Sequence, residues 1–296
     1  MPADTADEPS ASVLTLVRGR ADRLHNLMAA LARQSVHPRE LVIAWMQRDR
    51  ASDLPDPGCP VRHRHVAGEP MPLAAARNRA AEAATGDLLV FLDADCIPSP
   101  TLVAAYRRAA ARAEGLFLGE VLYLPPGLDA SVASDDAALA RLGRAHPARP
   151  AVPTAGDVRR ETDPGQLWGL SFALPARAWH AVGGMDEAYL GYGGEETDFA
   201  ARLAASGLPT FWVGGARAYH QHHPVHVPPL QHFDAILANA TRFRDRHGRW
   251  CMSYWLGQFQ AAGLIAWDDD APAIRVLRRP DALEVAAALR PDALFS

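Results

Sequence analysis

The sequence predicts an α/β fold built on a mostly parallel sheet. Over roughly the first 115 residues, short apolar runs of strand length alternate with longer segments whose apolar residues recur at helical spacing. Such an alternation predicts parallel neighbouring strands with helices packed on the faces of the sheet. The 296 residues, 49% hydrophobic and 22% charged, suffice to bury the core of one large domain or two small ones.

The first half of the chain carries this alternation. Apolar and β-branched runs predict strands at residues 12–17, 41–45, 61–66 and 88–92. Helical spacing or alanine richness predicts helices at residues 22–34, 72–84 and 100–113. Residues 49–60 are rich in Asp, Pro and Gly, which predicts a loop.

The second half is less regular. Further strands are predicted at residues 116–124, 167–174 and 210–213. Helices are predicted at residues 175–182, 195–206, 230–246 and 252–262, followed by a terminal segment at 281–289. Residues 125–166 carry Pro, Gly and charge and match neither period. A long irregular segment of this kind inside an enzyme is often a lid or an acceptor-binding loop.

Composition limits the classes of function and the location. The formal net charge of −4 and the pI of about 6.3 argue against a dedicated nucleic-acid binder. Three widely spaced cysteines form neither a disulfide framework nor a zinc pattern, so a reducing, cytoplasmic location is expected. No apolar run reaches the length of a membrane span. Residues 1–11 are polar and acidic, unlike a signal peptide, and are expected to form a disordered tail.

Two carboxylates follow the fourth predicted strand, in the run Leu92-Asp93-Ala94-Asp95. Side chains i and i+2 of an extended chain point the same way, so Asp93 and Asp95 can converge on one cation. Open α/β sheets bind ligands at the carboxyl ends of their strands. Oxygen ligands there suit Mg²⁺ or Mn²⁺ together with substrate phosphates. The alternative is an acidic pair on a surface loop.

Arginines lie near two other predicted strand ends. Arg18 and Arg20 follow the first strand, where two guanidiniums can hold a diphosphate. The alternative there is a solvated basic turn. Arg77 and Asn78 lie on the alanine-rich helix, whose small residues allow close approach to the sheet, so both side chains could face a nucleotide. The alternative is a well-packed helix with exposed arginines.

A glycine-rich segment, Gly191-Tyr192-Gly193-Gly194, precedes Glu195 and Glu196 at the start of a predicted helix. Glycines allow a tight turn or a close approach to a ligand, although acidic residues in a first helical turn also simply favour the helix dipole. Further along, His220, His222 and His223 lie close together. Such a cluster can bind a metal or a phosphate, or it can consist of free loop histidines.

These pieces occur in the order found in a metal-dependent glycosyltransferase. The chain resembles the inverting glycosyltransferase family 2 over roughly residues 12–247, and especially its branch with a galactosyltransferase-type C-terminal region. The resemblance is carried by Val17-Arg18-Gly19-Arg20, Ala76-Arg77-Asn78, Gly86-Asp87, Phe91-Leu92-Asp93-Ala94-Asp95, Gly183-Gly184-Met185-Asp186-Glu187, Gly191-Tyr192-Gly193-Gly194-Glu195-Glu196 and Tyr219-His220-Gln221.

The resemblance implies a GT-A fold, a Rossmann-like and mostly parallel sheet flanked by helices. It implies a nucleotide-sugar-binding half at 12–115, an acceptor-binding and catalytic half at 116–247, and a small helical C-terminal extension at 248–296. Asp95 and His220, rather than His222 or His223, would hold Mn²⁺ or Mg²⁺. Glu196 would be the catalytic base, with Glu195 contacting sugar hydroxyls. Donor or sugar contacts are implied for Arg18, Arg20, Gln47, Arg77, Asp93, Trp168, Gly169 and Tyr192.

The chain departs from the family pattern at three positions. Family 2 usually carries Asp-Asp-Gly-Ser after its second strand, with an Asp that reads uracil, whereas this chain has Ala44-Trp45-Met46-Gln47. Galactosyltransferases carry Ile-Asn-Gln at this point. Tyr192 stands where the family has a Trp, and Glu196 where it has an Asp. The extra methylene of Glu196 requires a slightly different acceptor position.

The implied reaction moves a sugar from a nucleotide-sugar, with UDP expected as the nucleotide, to the hydroxyl of a carbohydrate or other acceptor. One rival is a sugar nucleotidyltransferase, which would need a phosphate-binding loop with a Lys, and the chain contains no Lys. Another is a non-catalytic nucleotide- or sugar-binding protein, against which the intact Asp95, Glu196 and His220 argue. We expect no nucleic-acid partner and no membrane span. The sequence indicates no oligomeric state.

Overall fold

The computed structural model describes residues 8–128 and 130–295, and its centre is a mixed sheet of ten described strands. The strands of the protein are β1 (Ala11–Val17), β2 (Glu40–Trp45), β3 (Val61–His65), β4 (Leu88–Leu92), β5 (Cys96–Pro98), β6 (Leu116–Tyr123), β7 (Arg144–Ala145), β8 (Val158–Glu161), β9 (Ser171–Pro175), β10 (Thr210–His220), β11 (Val225–His226), β12 (Ile265–Ala266), β13 (Arg275–Val276) and β14 (Leu289–Arg290). The main path of the central sheet has the order β3-β2-β1-β4-β9-β6-β10-β5.

The helices connect these strands and cover both faces of the sheet. They are α1 (Ala21–Leu31), α2 (Leu73–Ala83), α3 (Leu102–Arg112), α4 (Asp136–Leu142), α5 (Ala176–Val182), α6 (Glu195–Ala205), α7 (Phe233–His247), α8 (Ser253–Ala261) and α9 (Ala282–Ala287). One buried cluster joins Leu27 of α1 and Tyr106 of α3 to one face. A second joins Ala76 of α2 and Phe199 of α6 to the other face.

The first half of the sheet is parallel, as the strand–helix alternation predicts. β3, β2, β1 and β4 pair in parallel in that order. β1 and β4 lie inside the sheet and are buried along their whole length. Buried strands of parallel sheets are continuous apolar runs, which is why these segments lack a polar alternation. The second half is mixed, because β9 pairs antiparallel with both β4 and β6 while β10 pairs parallel with β6.

The structure corrects the predicted extent of β10. The prediction ended this strand at residue 213, before Gly214 and Gly215, but β10 continues to His220. Its register with β6 shifts between Trp212 and Arg217, so the glycine pair lies in an irregular, bulge-like stretch within the strand. A Cβ at Gly214 would lie 1.8 Å from Thr154 O, so close backbone packing explains that glycine. The continued strand carries His220 to the edge of the sheet where β4 ends.

Other boundaries also differ from the prediction. The strand predicted at 167–174 is the shorter β9. The unassigned stretch 125–166 contains α4 and the two short strands β7 and β8, which pair with β6 and β10. Short strands on polar sequence give little periodic signal, so the pattern could not show them.

The chain ends and the C-terminal region complete the fold. Of the segment expected to be a disordered tail, residues 1–7 lie outside the described residues, while Ser10 hydrogen-bonds Asp87 and Ala11 begins β1. A third buried cluster, with Phe243 of α7 and Phe259 of α8, joins the C-terminal helices to the rest. No helix in the described parts of the chain is long and apolar enough to cross a membrane.

Candidate active site

The Asp-x-Asp segment follows the carboxyl end of β4 and lines a cleft of about 1670 Å³. Arg18 and Arg20, after β1, line the same cleft, as do Glu195 and Glu196 at the start of α6. The parallel arrangement of β1 and β4 explains this meeting, because both strands end at the same edge.

One part of the cleft holds a cluster that could bind a metal. Ligand atoms of Asp95, His220 and His223 all lie within 4.8 Å of one another. Asp95 Oδ1 is buried without a hydrogen-bond donor and lies 3.6 Å from His220 Nε2. His223 Nε2 lies 3.6 Å from Asp95 Oδ2. A buried carboxylate oxygen without a donor is costly, so one carboxylate and two imidazoles here fit a divalent cation.

The charge states of this cluster suit metal ligands. Burial lowers the pKa of His220 and also that of His223, which keeps both rings neutral near pH 7 with a free lone pair. Burial opposes the ionisation of Asp95, but His220 in its protonated form and the permanently charged Arg20 outweigh it and lower the pKa of that carboxyl. The Arg20 guanidinium contacts Asp95 Oδ2 directly.

Another part of the cleft is organised around one buried cation. Arg77 on α2 is 3% exposed. Its Nη1 lies 3.2 Å from Glu195 Oε1, and its Nη2 lies 3.0 Å from Glu196 Oε1 and 3.8 Å from Asp93 Oδ1. Burial opposes the charge of Arg77, but the three carboxylates outweigh it and raise its pKa. One guanidinium is therefore shared among three acidic side chains.

This sharing leaves a carboxyl group that can accept a proton near neutral pH. Burial, followed by repulsion from Glu195, raises the pKa of Glu196 to about 8. Burial likewise raises the pKa of Asp93 to about 7. The Glu196 side chain keeps 21% of its surface exposed, and it lines the cleft. A group with these properties suits general acid–base chemistry.

Gly169 fits the space beside the Glu196 carboxylate. Its φ of +74° lies in the left-handed region, which glycine adopts without strain. A Cβ at this position would lie 2.0 Å from Glu196 Oε1 and 2.8 Å from Arg77 Nη2. The backbone leading into β9 therefore packs directly against the ion pair.

The loop after β1 is tied to its neighbours at the rim of the cleft. Gly19 N donates to Gln47 Oε1 at 2.5 Å, and Gln47 Nε2 donates to Asp49 O at 2.6 Å. Gln47 thereby joins the end of β2 to the loop that carries Arg18 and Arg20. Arg18 pairs with Glu69 and is 38% exposed.

Aromatic side chains line the cleft near the glycine-rich turn. The Tyr192 ring stacks on His232 with centroids 4.5 Å apart, and it lies 5.5 Å from the Trp255 ring. His232 immediately precedes α7 and Trp255 lies on α8, so the C-terminal part of the chain completes this wall. Trp168 also lines the cleft, with the Arg149 guanidinium 3.7 Å from its ring centroid.

Most of the residues singled out from the sequence lie in or beside this one cleft. Two of them have contacts that the sequence did not indicate. His223, which the sequence reasoning set aside in favour of His220, lies as close to Asp95 as His220 does. The His-x-x-His spacing of these two residues was the available signal. Arg77, expected beside the nucleotide, lines the cleft and contacts the carboxylates of Glu195 and Glu196 there. His232 and Trp255 were not found from sequence, because no local motif connects them to the cleft.

Two family profiles match separate parts of the chain. The glycosyl transferase family 2 profile matches residues 58–122, which contain Arg77, Asp93 and Asp95. The profile of the N-terminal domain of galactosyltransferase matches residues 155–225, which contain Glu196 and His220. The cluster and the ion pair of the cleft thus each combine residues from both matched regions.

Two curated relatives are similar along most of the chain. Both are named validoxylamine A glucosyltransferase, from Streptomyces hygroscopicus subsp. limoneus and from subsp. jinggangensis. Each is 27% identical over 281 residues, which covers 83% of this chain. The chain spans 59% and 63% of their respective lengths.

Solved structures share the fold. GalNAc-T7, solved with UDP, GalNAc and Mn²⁺, matches with a TM-score of 0.52 and 14% identity over 73% of this chain and 43% of that one. Residues 1–349 of S. aureus TarS match with a TM-score of 0.53 and 12% identity over 79% of this chain and 65% of that one. At these identities the likeness concerns the fold alone. The fold is therefore of the GT-A type. The two family profiles and the curated relatives show that the chain is similar to glycosyltransferase family 2 in its first half and to galactosyltransferases in its second half.

Proposed function

We propose that this protein transfers a glycosyl group from a nucleotide-sugar to an acceptor hydroxyl, with inversion at the anomeric carbon and with Mn²⁺ or Mg²⁺ bound. The observation that carries the proposal is that one cleft contains both the Asp95, His220 and His223 cluster and the Glu196 carboxyl. The cluster suits a diphosphate with its bound cation. The Glu196 carboxyl suits an acceptor hydroxyl that must lose its proton.

The reaction is a single displacement. The acceptor oxygen bonds to the anomeric carbon while the bond from that carbon to the diphosphate oxygen breaks, and the nucleoside diphosphate leaves with the electron pair. Glu196 accepts the hydroxyl proton as general base. Attack from the side opposite the leaving group inverts the configuration. Mn²⁺ or Mg²⁺, when bound, supplies positive charge to the departing diphosphate.

The remaining side chains bind and orient the substrates. Arg77 holds Glu196 in place, and Arg18 and Arg20 add positive charge on the diphosphate side. We assign donor contacts also to Asp93 and Gln47, places in the pocket for the donor sugar to Trp168 and Gly169, and contacts to sugar hydroxyls to Glu195. In this proposal residues 12–115 bind the donor, residues 116–247 carry the base and residues 248–296 complete the acceptor wall.

The substrates follow from the chemistry of the cleft and from the curated relatives. The relatives' name supports a glucosyl donor, and we propose UDP as its nucleotide. Tyr192, His232 and Trp255 offer apolar ring faces, which suit a sugar or sugar-like ring as acceptor. Two imidazole ligands favour Mn²⁺ over Mg²⁺, since Mg²⁺ prefers oxygen.

A panel of UDP-, GDP- and dTDP-sugars tests the proposal. Release of nucleoside diphosphate is measured with Mn²⁺, with Mg²⁺ and with a chelator, in the presence of simple sugars and cyclitols as acceptors. The configuration of the product is read by NMR. We expect metal-dependent release with at least one donor, an inverted product, and transfer that is about 10²-fold slower or more in Glu196→Gln. A product of retained configuration, or full turnover in excess chelator, would contradict the mechanism.

A further inference from the structure

The turn before α6 sets the direction of the Glu196 side chain. Gly191, Gly193 and Gly194 have φ values of 78°, 85° and 93°, all in the left-handed region. Gly194 caps α6, whose first two residues are Glu195 and Glu196. A change in the path of this turn would therefore rotate the start of the helix and move both carboxylates.

One side chain of α7 holds the carbonyl groups of this turn. Asn239 is 3% exposed, and its Nδ2 donates to Gly193 O at 2.7 Å, to Leu190 O at 3.0 Å and to Tyr192 O at 3.3 Å. An amide nitrogen has two hydrogens, so two of the three carbonyl groups share one of them. Three carbonyl groups bound to one amide nitrogen fix the orientation of the amide and the path of the turn.

The same face of α7 forms the surface on which the turn rests. Ala235 lies one helical turn before Asn239 and so on the same face. A Cβ at Gly191 would lie 2.7 Å from the Ala235 Cβ, and one at Gly194 would lie 3.3 Å from the Asn239 Cβ. Close contact with α7 thus leaves no room for a side chain at Gly191 and little room for one at Gly194.

The far end of α7 holds α6 itself. Asp198 on α6 is fully buried, and Arg246 Nη1 and His247 Nε2 each lie 2.9 Å from its Oδ1. These contacts of Arg246 and His247 fix the position of α6 at Asp198. The hydrogen bonds of Asn239 then determine how the glycine-rich turn joins the start of α6. Displacement of the turn would therefore be absorbed at the residues between, which include Glu196.

We propose that Asn239 is a positioning residue, whose three hydrogen bonds to the glycine-rich turn keep the Glu196 carboxylate beside Arg77 and directed at the acceptor. This inference rests on the proposed role of Glu196 as base. It assigns to α7, which lies outside the matched family regions, a direct effect on the rate of transfer.

Asn239→Ala and Asn239→Asp test the assignment, each alone and combined with Glu196→Gln. The Asp variant keeps the shape of the side chain and removes its N–H donors. We expect each single variant to lower kcat about 10- to 100-fold, since small misplacements of a catalytic group have effects of this size. Donor KM and the affinity for UDP with Mn²⁺ should stay unchanged. In the Glu196→Gln background the Asn239 change should lower kcat little further, because the carboxylate it positions is gone.

Gln34→Ala is the matched control. Gln34 is buried outside the cleft, where its amide donates to Ser99 O at 2.7 Å and accepts from Val103 N at 3.1 Å. This variant should lower the melting temperature and leave kcat unchanged. The inference is overturned if the decrease in kcat of the double variant equals the product of the decreases in Asn239→Ala and Glu196→Gln. It is also overturned if the affinity for UDP falls together with kcat, or if neither Asn239 variant folds.

Failure of the proposed function can be told apart from failure of this inference. If the wild type transfers no sugar from any donor, the function is wrong, and the coupling is then read from stability. The free energy of unfolding is measured between pH 5 and pH 8. Glu196→Gln should change it more in the wild-type background than in the Asn239→Ala background, because loss of the Asn239 hydrogen bonds exposes the Glu196 carboxylate to water. An equal change in both backgrounds would overturn the positioning role.

Discussion

The contact between Gly169 and Glu196 gives the sharpest test of the candidate site. In Gly169→Ala, the new Cβ would lie 2.0 Å from Glu196 Oε1, whereas ordinary contact begins at 3.4 Å. The carboxylate must therefore shift by about 1.4 Å, or the backbone must move away from it. Misplacement of a catalytic group by about 1 Å can lower a rate about 10²-fold. We expect a loss of transfer of that order.

The substitution also has a cost in stability, which a control can separate from its effect on the site. Alanine in the left-handed region costs about 1–2 kcal/mol. Gly207, just after α6, has a similar φ of +82°, but nothing lies within 4 Å of the position of its Cβ. Gly207→Ala therefore brings the same backbone strain without the contact to Glu196.

The assay compares the two variants by thermal unfolding, by UDP binding with Mn²⁺ and by kcat for transfer. Both variants should lose similar stability and keep UDP binding, and only Gly169→Ala should lose transfer. Turnover near that of the wild type in Gly169→Ala, or an equal loss in the two variants, would refute the reasoning that Glu196 acts from its observed position.

The remaining predictions concern protonation, metal binding and the acceptor. The pKa of Glu196 is about 4.5 in the unfolded chain and is raised to about 8 in the folded protein. Between these pH values the folded protein holds a proton that the unfolded chain has released. The contribution of Glu196 to stability is therefore complete below about pH 4.5 and is lost as the pH rises through about 8. Relative to the wild type, Glu196→Gln should thus gain up to about 1.4 kcal/mol of stability per pH unit across this window in urea unfolding. Asp95→Ala should abolish Mn²⁺ binding in calorimetry without unfolding the protein, and His223→Ala should weaken it; an unchanged affinity in His223→Ala would exclude that ligand. Trp255→Ala should raise the acceptor KM about 3- to 10-fold and leave donor hydrolysis unchanged, since an aromatic contact contributes about 0.5–1.5 kcal/mol.

The sequence was informative wherever a function depends on local geometry. Asp93 and Asp95 lie after the last residue of a buried strand, and the parallel order of β1 and β4 brings the Arg18 loop beside them. Alternation of side chains and the topology of parallel sheets are general rules, so these placements could be predicted. Glu196 in the first turn of α6 was predictable for the same reason, since the glycines before it mark where the helix starts.

The sequence was uninformative where a residue depends on distant partners. Gly214 and Gly215 resemble the end of a strand, yet β10 passes through them. Thr154 lies too close to Gly214 for a side chain there, and Gly215 has a left-handed φ of +89°. Nothing near residue 214 in the sequence reveals that contact. Trp255 and His232 reach Tyr192 only because the C-terminal helices pack against the glycine-rich turn.

Arg77 shows how such distant contacts determine the chemistry of the cleft. Its partners Glu195 and Glu196 lie 118 and 119 residues further along the chain, so local spacing could not reveal these contacts. A buried guanidinium paired with Glu196 alone would hold that carboxylate ionised, with little tendency to accept a proton. Burial raises the pKa of Glu196, and repulsion from Glu195 raises it further. Arg77 does not offset these two effects, because its charge is shared with Glu195 and Asp93. Glu195 therefore contributes to base strength through its charge, whether or not it touches a sugar.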